Sequence, residues 1–219
     1  MDAPDSGQLL TALTTEHFTL QGARSQTMGE TSSRAAVYMY SLSSALVALG
    51  FVSQVGDGSD RAFGVFALTI LPTIYALGCA TYVRLVECGA EDFRYALAIN
   101  RIRGYYKELA GPQADLFLLS GNDDGIGVFA NMGLSGQRRS SAFAFSTAIA
   151  VVNGVVGGAV VGVVLSGVLD GRTWEAATAG VAVAALSVLG WGRHGARTLD
   201  DAAREVTPRH PSPTPPHDD

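Results

Sequence analysis

The chain has 219 residues, of which 47% are hydrophobic and only 16% are charged, and its formal net charge is −5 at pH 7. A soluble domain carries about 25% charged residues, and the charges here are concentrated between long uncharged stretches. This composition argues against a soluble bundle of buried helices, since globular helices seldom exceed about 20 residues without a polar face.

The N-terminal segment, residues 1–34, predicts a cytoplasmic helix that begins near Ser6, because no proline interrupts it from there on. Glu30 and Arg34 are placed to form a favourable i,i+4 ion pair. A partial apolar stripe on this helix could lie on a membrane surface, pack on the central segment or self-associate. The stripe consists of Leu9, Leu10, Leu13, His17 and Leu20. Since nothing breaks the chain before Gly56, the helix could run directly into the next element.

Two uncharged stretches, Ala35–Gly56 and Ala62–Val83, follow. Each is close to the roughly 20 residues that a helix needs to cross a bilayer. They predict a first transmembrane hairpin within residues 35–86. Pro72 removes a backbone hydrogen bond from the second helix and should kink it. The kink is either an ordinary feature of a membrane helix or a gating hinge.

The central cytoplasmic segment, residues 87–139, contains a predicted amphipathic helix over Glu91–Leu109. Its apolar residues recur at spacings of three and four, and Gly111 with Pro112 ends it. Its basic and tyrosine side chains could bind anionic lipid head groups or a nucleotide. They could equally form a solvated face beside a face that packs on the N-terminal helix. This candidate interaction surface consists of Arg94, Arg101, Arg103, Tyr105, Tyr106 and Lys107.

The Gly- and Asp-rich stretch Ser120–Gly127 is predicted to be a loop. The adjacent Asp123 and Asp124 suggest a calcium or magnesium site, but their spacing does not match an EF-hand, and no phosphate-loop lysine follows. Cys79 and Cys88 are too few for a disulfide framework, and no His or Cys cluster has metal-ligand spacing. We therefore expect no catalytic site, no metal and no cofactor.

A second transmembrane hairpin, within residues 140–192, is predicted from the stretches Ser140–Leu169 and Ala176–Gly192. Glycines four residues apart form a flat strip on one side of the third span, and small residues of the fourth span form a matching row. The predicted helix-packing residues are Gly154, Gly158 and Gly162 in the third span and Ala176, Gly180 and Ala184 in the fourth. The rows could pack within one chain, or the glycine row could lie between the subunits of a pore.

The last segment, residues 193–219, is predicted to be a cytoplasmic tail. A short helix is expected over Arg193–Glu205. The proline-rich composition that follows predicts disorder from about residue 207. His210 and His217 are then features of tail composition and not metal ligands.

The distribution of Arg and Lys sets the predicted orientation. Connectors 57–61 and 170–175 hold one base each, and the other 13 of the 15 bases lie in the N-terminal segment, around the central segment or in the tail. Both termini and the central segment should therefore be cytoplasmic. No Asp, Glu, Lys, Arg or His lies inside the four spans, which disfavours a proton-coupled transporter or an intramembrane hydrolase but not a passive pore.

Three segments, Glu16–Arg24, Ser43–Gly50 and Ile99–Tyr106, together resemble a family of uncharacterised actinobacterial four-span membrane proteins. The resemblance covers about residues 10–192 and implies a location in the membrane but no activity. In layout only, the chain is also similar to the SLATT-type effectors of bacterial conflict systems. These effectors join cytoplasmic helices to paired spans and are thought to form pores.

The sequence thus predicts an all-α polytopic membrane protein, with four transmembrane helices and additional cytoplasmic helices, in the bacterial inner membrane. We expect a structural or interaction protein and not an enzyme. Its expected partners are the lipid bilayer, a cytoplasmic protein and, as an alternative, further copies of the chain, but not nucleic acid. The alternative function is an oligomeric pore or conflict-system effector that is gated through the cytoplasmic helices.

Overall fold

The computed structural model describes residues 5–54, 59–133, 144–168 and 173–213. The described chain is all-helical and contains no strand. Its elements are α1 (Ser6–Val52), α2 (Ser59–Ala110), a 3-10 segment (Gly111–Leu116), α3 (Gly125–Asn131), α4 (Ala144–Val168) and α5 (Thr173–Arg204).

Four helices among the described residues are long and apolar enough to cross a membrane. This result confirms the predicted all-helical fold with four candidate spans. The helical stretches concerned are Ser6–Val52, Ala62–Leu116, Ser146–Ser166 and Trp174–Arg204. The proposed start of the third span, residues 140–143, lies outside the described residues.

Three helices each join two predicted elements, and for α1 the sequence had left this continuity open. The N-terminal helix and the first apolar stretch form one helix of 47 residues, α1. The second stretch continues into the central amphipathic helix as α2, with 52 residues, and helix α2 continues through Pro72. The fourth stretch continues past Gly192 as α5, with 32 residues. Charges mark the edges of the apolar stretches, but a change from apolar to charged side chains does not stop a helix unless Pro or paired turn residues follow.

The chain divides into two compact units. One, which we call the polar unit, contains the described residues up to 29, residues 88–133 and residues 198–213. The other, which we call the apolar unit, contains residues 30–87 and the described residues between 143 and 197. Each unit has its own buried cluster of apolar side chains.

A buried polar contact joins three helices inside the apolar unit. The hydroxyl of Tyr38 donates to Oδ1 of Asn153 at 3.1 Å, and Nδ2 of Asn153 donates to Sγ of Cys79 at 3.4 Å. Tyr38 and Asn153 are almost completely buried, and a Cβ at Gly78 would overlap the Asn153 side chain. The buried Asn153 side chain therefore ties α1, α2 and α4 together.

The small residues of α4 and α5 lie against each other in the same chain. A Cβ at Gly158 would overlap the carbonyl oxygen of Gly180 and lie 3.1 Å from Cβ of Ala184. A Cβ at Gly154 would lie 3.1 Å from the carbonyl oxygen of Ala184. At Gly162 the approach is looser, since the nearest atom would be the Ala176 carbonyl oxygen at 3.8 Å. The two helix backbones thus approach most closely at the middle of the glycine row.

The outer surface of the apolar unit carries large apolar side chains. Tyr40 is 73% exposed, Phe51 68% and Val181 71%. In a water-soluble protein such a surface would be an aggregation liability or a binding face. Further exposed apolar residues of this unit are Val37, Leu46, Val47, Val65, Leu68, Val155, Leu186 and Leu189.

The predicted ion pair between Glu30 and Arg34 is present and has a third member. Nε of Arg34 donates to Glu30 at 2.7 Å, and Nε of Arg84 donates to the same carboxylate oxygen at 2.8 Å. Hydrogen bonds from Arg84 and then Arg34 lower the pKa of Glu30 to about 2. The cluster links α1 to α2.

Candidate interaction site

The N-terminal part of α1 packs on the central part of α2 in the polar unit. Arg24 donates from Nε and Nη2 to the two carboxylate oxygens of Asp92, at 2.8 and 2.9 Å. The ring of His17 stacks on that of Tyr106, with the centroids 6.0 Å apart. Of the three arrangements open to the N-terminal stripe, the described residues show packing on the central segment. The two-pronged Arg24 contact fixes orientation as well as proximity.

The core of the polar unit lies between α2, α3 and the end of α5. Phe93 and Phe129 place their ring centroids 5.7 Å apart, and both side chains are buried. Val128 and Ala202 complete the buried contact. The central part of α2 therefore has one face on this core and another on α1.

An apolar groove of about 410 Å³ runs between α1, α2 and the segment that follows α5. Leucines from α1 form one wall, and apolar residues of α2 form the other. Charged side chains lie among the lining residues from all three segments. The groove is lined by Leu9, Leu13, Glu16, Leu20, Arg94, Leu97, Ala98, Arg101, Ile102, Tyr105, Val206 and Arg209.

The six residues of the predicted interaction surface do not lie together. Arg94, Arg101 and Tyr105 line the groove, while Arg103 and Tyr106 line a second depression with His17 and Phe117. Lys107 lines neither of the two. Helix geometry explains the division. Arg94, Arg101 and Tyr105 are seven and four residues apart and share a face, whereas residues two apart, such as Arg101 and Arg103, differ by about 200° around the helix axis.

Three of the basic side chains of this surface are held by acceptors within the chain. Arg94 donates from Nε to Oε2 of Glu205 at 2.7 Å, which lowers the pKa of Glu205. Arg101 donates to Asp123 at 2.5 Å and to the Thr207 carbonyl oxygen at 2.5 Å. Arg103 donates to the side chain of Asn100 and the carbonyl oxygen of Ser120. An anionic head group or nucleotide at this surface would have to compete with these contacts.

The Gly- and Asp-rich loop holds the C-terminal tail. The carboxylate of Asp123 is fully buried and accepts the backbone N–H groups of Arg209 at 3.0 Å and His210 at 2.6 Å. Asp124 caps α3 by accepting from the Gly127 N–H at 2.8 Å. Asp124 also accepts from Ser212, at 2.6 Å from the N–H and 2.7 Å from the hydroxyl. The adjacent aspartates thus act as acceptors for the chain's own backbone.

The tail differs from the expectation of disorder as far as residue 213. Residues 207–213 are described and bonded to the loop, and the imidazole of His210 lies over Gly104. Its Nδ1 is 3.4 Å from a carboxylate oxygen of Glu108. Composition reports only local preference, whereas here the carboxylates of a distant loop supply the partners. Residues 214–219, including His217, lie outside the described residues.

The electrostatics of both aspartates favour their charged form. Burial alone would raise the pKa of Asp123 and of Asp124. The hydrogen bonds from Arg209, His210 and Arg101 outweigh burial at Asp123, and its pKa falls below the ordinary value of an aspartate. Hydrogen bonds from Gly127 and Ser212 likewise lower the pKa of Asp124. Each carboxylate therefore stabilises the folded tail when ionised.

Acidification should release the tail. A carboxylate whose folded-state pKa is depressed contributes its full stabilisation above the unfolded pKa and loses it as the pH falls through the folded value. We expect the amides of Arg209, His210 and Ser212 to be protected from hydrogen exchange at pH 6, after correction for intrinsic rates. Their protection should fall at least about tenfold well below pH 4, since each charge-assisted bond contributes about 1.5–3 kcal/mol.

At neutral pH, replacing Asp124 by Asn should reproduce part of this loss. The matched control is Asp115→Asn, because Asp115 is exposed and is not among the acceptors of the tail's amides. Equal protection in the Asp124 variant and in the unsubstituted chain would contradict the assignment of this carboxylate to the tail.

Within the described residues, no group of three or more His, Cys, Asp or Glu side chains could hold a metal ion. Neither Cys79 nor Cys88 forms a disulfide within the described residues, and Cys88 is buried. The polar unit therefore offers a groove and a bound tail as its candidate functional features. Comparison of the chain with protein-family models, with curated proteins and with solved structures gave no match.

Proposed function

We propose that the chain is a multi-pass protein of the bacterial inner membrane with both termini and the central segment in the cytoplasm. Four candidate spans and the exposed apolar surface of the apolar unit support insertion, because a bilayer is the solvent in which such a surface is stable. The orientation is supported by the 13 of 15 basic residues that fall on one side.

We further propose that the polar unit is an interaction module whose groove binds a cytoplasmic protein. The observation that carries this proposal is the groove itself, which has apolar walls from two packed helices and a volume of about 410 Å³. A groove with apolar side chains from two packed helices and charged side chains among them suits an amphipathic helix that inserts anchors at positions i, i+3 or i+4, and i+7. Arg209, which is exposed at the edge, favours an acidic residue at one end of that helix.

The alternative function, an oligomeric pore or conflict-system effector, is not favoured by the packing of the apolar unit. That alternative uses the row of Gly154, Gly158 and Gly162 between subunits. The same row is occupied by α5 of the same chain, with Gly158 directly against Gly180. An interaction protein uses the groove and needs no such contact.

A pair of leucine substitutions tests the groove. A photo-crosslinking amino acid at Ala98, inside the groove, should first identify the bound protein in cells by mass spectrometry. Affinity is then measured by calorimetry with that purified protein and the full chain in lipid nanodiscs. Leu13→Asp should weaken binding at least tenfold, which corresponds to about 1.4 kcal/mol, because it places a charge in an apolar wall. Leu13 is half-buried among the groove residues.

The matched control is Leu118→Asp. Leu118 belongs to the same polar unit but is 96% exposed and lies outside the groove. Its substitution should leave the affinity unchanged. The proposal fails if both variants bind equally well, or if the crosslinker at Ala98 captures only lipid.

A further inference from the structure

The loop and α2 form a compact site around the tail, which we call the tail seat. It consists of Arg101, Gly104, Asn122, Asp123 and Asp124. The seat holds residues 207–212 chiefly through their backbone. Arg101 binds the carbonyl oxygen of Thr207, and the N–H of Asp123 donates to the carbonyl oxygen of His210 at 3.1 Å. Recognition through main-chain groups is how proteins bind extended peptides as added segments.

Every backbone N–H group between residues 208 and 213 is used in the seat. Between residues 208 and 213 the chain has three prolines, at 208, 211 and 213, which carry no N–H. The remaining three N–H groups, of Arg209, His210 and Ser212, each donate to a carboxylate of Asp123 or Asp124. Each N–H group of residues 208–213 therefore has an acceptor in the seat, and the positions that have no acceptor are the prolines.

The seat also contacts two side chains of the tail. His210 lies on the bare backbone of Gly104, where an added Cβ would come within 2.5 Å of the imidazole Cδ2. The hydroxyl of Ser212 donates to Asp124 at 2.7 Å and accepts from Nδ2 of Asn122 at 3.0 Å. The seat therefore makes side-chain contacts at two positions in addition to its contacts with the extended backbone.

The prolines also reduce the entropic cost of binding. Each fixes φ near −65°, and proline-rich segments already populate an extended conformation before they bind. A preformed ligand loses less conformational freedom on association than a flexible one.

We propose that the tail seat is a recognition site for an extended peptide of the pattern Pro-x-His-Pro-Ser, and that residues 208–212 are the ligand that it holds in cis. The site accepts the same peptide as a separate molecule once the chain's own tail has left. This proposal does not depend on the partner of the groove, because it concerns a different ligand, although Arg101 and Arg209 also line the groove.

The test uses the full chain in lipid nanodiscs with its tail displaced by the double substitution His210→Ala and Ser212→Asp. The first removes the side chain on Gly104, and the second places a carboxylate against Asp124. A fluorescein-labelled peptide of residues 207–213 should then bind saturably, as measured by fluorescence anisotropy. The unsubstituted chain should bind this peptide at least tenfold more weakly, because a tethered tail competes at an effective concentration in the millimolar range.

Variants of the labelled peptide test the two side chains that contact the seat. They require no further change to the protein. Replacing the histidine or the serine of the labelled peptide by alanine should each weaken binding at least about fivefold. In the displaced chain, Asn122→Ala should weaken only the peptide that retains its serine. Asp115→Asn, outside the seat, should change nothing.

Three outcomes would overturn the proposal. Absence of saturable binding to the displaced chain overturns the proposal, and so does equal binding of the parent and the alanine peptides. Equal affinity of the displaced and the unsubstituted chain would show that the peptide binds elsewhere and would overturn it too. Failure of the groove experiment leaves these measurements unaffected.

Discussion

Alkaline phosphatase fused after Asn122 should be inactive, whereas the same enzyme fused after Gln54 should be active. This phosphatase folds only outside the cytoplasm, since it needs disulfides that form in the periplasm. Asn122 lies in the central segment, for which the distribution of basic residues predicts a cytoplasmic position. Gln54 lies two residues after Val52, where the first candidate spanning helix ends. The expected difference in activity per molecule is at least about tenfold, because translocation of a fusion is close to all-or-none.

A cytoplasmic fluorescent reporter at the same positions provides the control, since it should report the reverse pattern. A third fusion after Pro213 should behave like the one at Asn122. Phosphatase activity at Asn122 would contradict the proposed topology. Activity at neither position, with both fusions expressed, would contradict membrane insertion of the first pair of helices.

The elements that were predictable from the sequence have local causes. The apolar stretches are visible because hydropathy is a property of consecutive residues. The row of Gly154, Gly158 and Gly162 is visible because a spacing of four defines one side of a helix, and its approach to α5 follows from the short connector between the two helices. The stripe of Leu9, Leu13 and Leu20 likewise identified one wall of the groove.

The elements that were not predictable depend on partners far apart in the chain. Asp123 meets His210, which is 87 residues away, and Arg94 meets Glu205, which is 111 residues away. In each case the local composition indicates only a loop, a solvated helix face or a disordered tail. The sequence did contain both partners of the tail contact, namely two adjacent aspartates and a tail with spaced prolines. Neither spacing nor periodicity could pair them.

The continuity of α2 was not predicted, for a related reason. The second apolar stretch is uncharged throughout, whereas the segment after it is amphipathic, yet α2 runs through both as one helix. The change of pattern reflects a change in the surroundings of the side chains. The backbone hydrogen bonds continue because only Gly89 lies at the junction, and a single glycine costs about 1 kcal/mol in a helix, too little to end it.

Gly158→Leu should be the most destabilising single substitution in the apolar unit. The first atom of the new side chain would overlap the carbonyl oxygen of Gly180, and a helix backbone cannot rotate aside as a side chain can. Overpacking of this kind costs about 1–3 kcal/mol and more when backbones must separate, so we expect a loss of about 3 kcal/mol. The free energy of unfolding can be measured by titrating the chain in mixed micelles with SDS and following helix content.

Gly190→Leu is the matched control, because it introduces the same side chain in α5 where an added Cβ meets no atom within 4 Å. Its effect should stay within about 0.5 kcal/mol, as for surface substitutions. If the two variants lose equal stability, the cost comes from changing a membrane-helix glycine as such and not from the α4–α5 contact. If instead Gly158→Leu leaves the monomer stable but abolishes self-association, the row serves a contact between copies, and the pore alternative regains its basis. The same pair of variants therefore distinguishes a packing role within the chain from an assembly role between chains.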